Sequence, residues 1–95
     1  MAGLEECKDE LTELAETIGL SPERVDARAG EIARHYWGEL DGAERQQLAH
    51  WLEAKSAEAR AAVSIDALRG RARMANVTDA ALAEITKLIQ AERKA

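Results

Sequence analysis

Aromatic side chains are nearly missing from this 95-residue chain: they make up 3% of it, as one Tyr and two Trp, with no Phe. A core without large rings must come from Leu, Ile, Val and Ala, which suits close helix packing better than a sheet. A single proline leaves long stretches free to coil into helices. A single cysteine, Cys7, excludes an internal disulfide and fits a reducing cytoplasm. There is no apolar run of about 18 residues and no charged-then-apolar leader, so neither a membrane span nor a secretion signal is expected. The length allows one domain, residues 1–95, with no room for a second core. A chain this short buries only roughly 60–65% of its unfolded surface. The shortage of bulky core residues makes self-association attractive, because an interface adds buried area.

What is present is charge and small apolar residues: 33% charged, 46% hydrophobic, net charge −5. The charge is unevenly placed. Residues 1–40 hold ten acidic and four basic side chains, whereas residues 41–95 hold eight and nine. A phosphate-binding surface in the first half is therefore disfavoured.

The apolar spacing predicts an all-α compact bundle of four or five helices that self-associates. Leu4, Cys7, Leu11, Leu14 and Ile18 recur at three and four residues, giving a first helix over about residues 3–18. Gly19 supplies a left-handed C-cap, Ser21 an N-cap and Pro22 the first helical position, with Leu20 and Val25 placed as a hydrophobic staple. The second helix, about 22–38, buries Val25, Ala29, Ile32 and Tyr36, flanked by Ala33, Trp37 and Leu40. Asp41 and Glu44 form a capping box for a third helix carrying Leu48, Trp51, Leu52, Ala59, Ala62 and Val63. Two continuations stay open: a new helix capped by Ser64, with Ile65 and Leu68 as its apolar residues, or one helix drifting on to about Ala72. Asn76, Val77 and Thr78 predict a break, with Thr78 capping a last helix over about 79–93. The six glycines are read as sitting at helix edges or breaks.

The stretch "LAETIGLSPERVDARAG" resembles a helix-turn-helix motif over about twenty residues. Ala15, Gly19 and Val25 hold the small, turning and locking positions. Two departures weigh against DNA reading. Arg28 stands where the motif takes an apolar residue, and the reading face carries Glu23 and Asp26 beside Arg24. The same residues are demanded by any Gly-Ser-Pro helical corner.

Other constellations yield no catalytic site. His35 lies between Glu31 and Glu39, and His50 precedes Glu53, but neither helical metal pattern is present. Cys7 lacks a base and sits at a core position. There is no glycine-rich phosphate loop. No cofactor or metal is expected, and an enzyme is disfavoured.

Three features point to protein partners instead. The first helix sets like charges four apart in Glu5–Asp9, Glu6–Glu10 and Asp9–Glu13, each unfavourable by a few tenths of a kcal/mol. A basic surface lying on Asp9, Glu10 and Glu13 would relieve that. The cationic run Arg69, Arg71, Arg73 is a candidate for that role or for a separate acidic or phosphate partner. Adjacent Tyr36 and Trp37 are not both expected to face inward, which makes Trp37 a candidate exposed anchor. The leading expectation is a small cytoplasmic, non-enzymatic protein-binding module: a homodimeric adaptor, regulator or inhibitor of a larger bacterial complex. The Ala-, Arg- and Glu-rich composition suits a bacterial or phage source. The alternatives are a helix-turn-helix transcription regulator and a phage structural subunit.

Overall fold

The computed structural model describes residues 3–17, 19–61 and 65–94, with side chains in the last stretch from Arg73 onward. These residues form four helices: α1 (Gly3–Glu16), α2 (Pro22–Trp37), α3 (Gly42–Arg60) and α4 (Ile65–Lys94). Among the described residues there is no strand. The all-α bundle is confirmed, at four helices. Ile18, Ala62, Val63 and Ser64 lie outside the described residues, as do the side chains of Ile65 and Leu68.

The α1–α2 corner follows local chemistry. Leu4, Cys7, Leu11 and Leu14 are buried along one stripe of α1, joined by Ala15. Gly19 adopts φ +94°, a left-handed conformation that a residue with a Cβ enters at a cost. Ser21 then accepts a hydrogen bond from the Arg24 N–H at 3.3 Å, and Pro22 opens α2. The expected α2–α3 capping box is present in full. Asp41 Oδ1 accepts from the Glu44 N–H at 2.8 Å, and Glu44 Oε1 accepts from the Asp41 N–H at 3.2 Å. The chain then takes the first of its two open continuations: α3 ends at Arg60 and a new helix begins at Ile65.

The expected break at Asn76–Thr78 is absent, and α4 runs unbroken for 30 residues. At a rise of about 1.5 Å per residue it spans roughly 45 Å, which matches the 44 Å long axis of the molecule. Burial overrides the local cap signal. Val77 and Thr78 are fully buried, and Val77, Ala81 and Ile85 continue one stripe into the core. The Thr78 hydroxyl donates back to the carbonyls of Met74 and Ala75, at 2.9 and 3.0 Å. Thr78 thus satisfies itself inside a helix rather than capping a new one. Gly30 also departs from expectation. It lies in the interior of α2, where an added Cβ would make ordinary contact with Glu84 at 3.8 Å.

α4 packs along α2 and α3 and also meets α1, whereas α1 scarcely touches α3. Leu11, Leu48 and Leu52 fill the centre, and Cys7 is enclosed beside them. Burial pushes the Cys7 thiol up to about 12, with the Glu10 carboxylate adding to the shift.

The expectation that Tyr36 or Trp37 stands exposed is overturned: they are 8% and 6% exposed. α2 has neighbours on two sides, so its inward arc is wide enough for adjacent positions. Tyr36 directs its hydroxyl toward Glu10 of α1; that hydrogen bond, with burial, raises the phenol to about 12. Trp37 lies under the Arg45 guanidinium, 4.7 Å from the ring centroid. Arg45 Nε also donates to the Trp37 carbonyl at 3.0 Å, capping the end of α2. The Trp37 indole N–H finds no acceptor among the described residues.

Candidate functional site

The ion pairs divide the molecule into two kinds of surface. On one side, charges cross between helices: Arg34 to Glu84 at 3.8 Å, Arg45 to Glu92 at 3.3 Å, and Arg60 to Asp79. Asp79 also accepts a hydrogen bond at 3.0 Å from buried Ser56, so one carboxylate joins two turns of α3 to α4. On α1, the one described ion pair is Lys8–Glu5, made within the helix at 3.5 Å.

Glu6, Asp9, Glu13 and Glu16 are exposed on α1 and engage none of the described cations. Their spacing of three and four residues sets them along one ridge. Glu10 is half-buried on the flank facing α2, where it meets Tyr36. The expected acids Asp9, Glu10 and Glu13 therefore lie together, as a solvent-facing ridge and its α2 flank.

Between that flank and α2 runs an open groove of about 530 Å³. Leu14, Ile32 and Ala27 supply its apolar lining, and Leu20 closes its corner end. Leu20 is 37% exposed, the one large hydrophobic standing out among the described residues. The α1 wall carries Glu10 and Glu13; the α2 wall carries Arg24 and Arg28, the latter paired with Glu31 at 3.2 Å. Leu20 and Val25, expected as a staple, both line a smaller cleft of about 110 Å³ next to this groove.

Of the cationic run, Arg73 is exposed and reaches that smaller cleft beside Leu14 and Thr17, near the end of α1. None of the described ion pairs ties it to Asp9, Glu10 or Glu13. The side chains of Arg69 and Arg71 lie outside the described residues. Trp37 is withdrawn as a surface anchor by its burial beneath Arg45.

Of the groove residues, the sequence assigns Leu20 to the staple, Arg24 to the would-be reading face and Ile32 to the core. An apolar residue directly after a turn glycine, with a free arginine one helical turn on, was the available signal. Arg45 left none, since its partners Trp37 and Glu92 are fixed by packing.

Among the described residues, no group of His, Cys, Asp and Glu is placed to hold a metal ion. Among them, too, no helix is long and apolar enough to cross a membrane. No protein-family model, curated protein or solved structure matches the chain.

Proposed function

We propose that this chain is a small non-enzymatic protein-binding module that docks a basic protein partner on the acidic ridge of α1, acting as an adaptor, regulator or inhibitor of a larger bacterial complex. The observation that carries this is the ridge itself. Glu6, Asp9, Glu13 and Glu16 stand exposed and engage none of the described cations, while elsewhere three ion pairs tie α4 to α2 and α3. Like charges aligned on a helix weaken it, and an opposing basic surface removes that penalty on binding. The enclosed thiol of Cys7 suits a reducing cytoplasm. A homodimer is part of the same reading, because a chain with so few large core residues gains from an interface.

A DNA-reading role for the corner has less support. The exposed face of α2 alternates Glu23, Asp26 and Glu31 with Arg24, Arg28 and Arg34, so it offers no net positive charge to phosphates.

The test is affinity capture from a bacterial lysate, comparing the native chain with an Asp9→Lys/Glu16→Lys variant. Both positions are exposed, so folding is retained. The native chain retains basic proteins that are released by salt, and the variant loses them. An identical set of captured proteins on both would overturn the proposal.

A further inference from the structure

We infer that the groove between α1 and α2 is the surface on which two copies of this chain pair, with a twofold axis running along the groove. This inference rests on the homodimer part of the proposed function and names its interface.

The groove is complementary to itself. Its α1 wall is acidic through Glu10 and Glu13, and its α2 wall presents Arg24, which no described carboxylate of its own chain engages. A twofold axis along the groove exchanges the walls of two apposed copies. The acidic wall of each copy then faces the basic wall of its mate, and the two charge contacts form together, as an isologous interface requires. An axis across the groove would instead set acid against acid.

The apolar groups obey the same symmetry. A residue at one end of the groove meets its own copy, so Leu20 packs against Leu20 of the second chain. Both then cover the groove floor, where exposed Ala27 lies beside the nearly buried Leu14 and Ile32. Exposed leucine beside an open apolar groove becomes a buried seam flanked by opposite charges, the usual anatomy of a specific interface. Arg24 and Leu20 gain a role that capping and the staple leave unfilled.

Asp9 and Glu16 lie on the ridge, away from the groove. The dimer uses Glu13 but leaves Glu6, Asp9 and Glu16 of each ridge open to partners, so the two surfaces can be tested apart at positions 9 and 16.

The experiment is sedimentation equilibrium of the native chain, Glu13→Arg, Arg24→Glu, Leu20→Asp and an equimolar mixture of the first two variants. Positions 13, 20 and 24 are exposed, and circular dichroism confirms that each variant folds. The native chain is expected to dimerise. Each single charge reversal creates two like-charge contacts and should raise the dissociation constant about tenfold or more. Leu20→Asp should do the same. Mixing Glu13→Arg with Arg24→Glu should restore association, because in that heterodimer both contacts are again attractive.

A native chain that stays monomeric at submillimolar concentration overturns the homodimer and this interface together. A native dimer that the reversals leave unchanged, or that mixing fails to restore, overturns the interface alone. If resonances of Leu14 and Ile32 respond to an amphipathic Lys/Leu peptide but not to protein concentration, the groove belongs to a basic peptide and the inference fails.

Discussion

The α3–α4 face and the α1 face carry similar numbers of acids but use them in opposite ways. Asp79 and Glu92 are drawn into contacts with Arg60 and Arg45 across the helix seam, and Asp79 also receives the Ser56 hydroxyl. Asp9, Glu13 and Glu16 face solvent with none of the described cations. The difference teaches that charge supports this fold where helices meet and is left over where a helix has one bare side. Binding is more readily sought on the bare side.

The largest expected effect breaks the face that is tied together. Ala80→Pro removes an interior backbone hydrogen bond of continuous α4 and should destabilise the chain by about 3 kcal/mol or more in chemical denaturation. Were there a helix start at Thr78, the same proline would fall in a first turn and cost little.

Alkaline titration sharpens the α1 side. Cys7 and Tyr36 are both held near 12, above their ordinary values of 9.0 and 10.0. The unfolded chain therefore loses these protons first. Their contribution to stability is full below about pH 9 and falls as pH rises toward about 12. The melting temperature should decline over that window, and a Cys7→Ala/Tyr36→Phe variant should show a shallower decline.

Asp41→Ala removes the capping box that starts α3 and should cost about 1 kcal/mol. Gly30→Ala should stabilise α2 by about 0.5–1 kcal/mol, since a Cβ fits beside Glu84 and alanine is the better helix former. The smallest pair tests the charge comparison directly. Asp79→Asn should lower stability by up to about 1 kcal/mol, because its ion pair is largely exposed. Asp9→Asn should raise it by a few tenths of a kcal/mol through relief of like-charge neighbours. Equal effects at the two positions would erase the distinction between the faces.

Much of this architecture was legible in local chemistry. Gly19, Ser21 and Pro22 specify the first corner, and Asp41 with Glu44 the second, because each acts on backbone within a few residues. The acids Asp9, Glu10 and Glu13 were legible as a group, since helical spacing alone places them side by side. What escaped depended on distant neighbours. Thr78 reads as a cap until the α2 and α3 surfaces bury it. Trp37 reads as exposed until Arg45 lies over its ring. Leu20 reads as a staple, and only the positions of Leu14 and Ile32 reveal a groove beside it.

The unbroken α4 has a bearing on how the chain acquires its shape during synthesis. It makes the broadest contacts of the four helices, along α2 and α3 and with α1, and the ribosome makes it after them. α3 scarcely touches α1 or α2, so the first three helices emerge as a hairpin-like corner and an appended rod. Cooperative folding is therefore expected to wait until the thirty-residue α4 clears the exit tunnel, which gives chaperones an opportunity to engage the nascent chain before that moment.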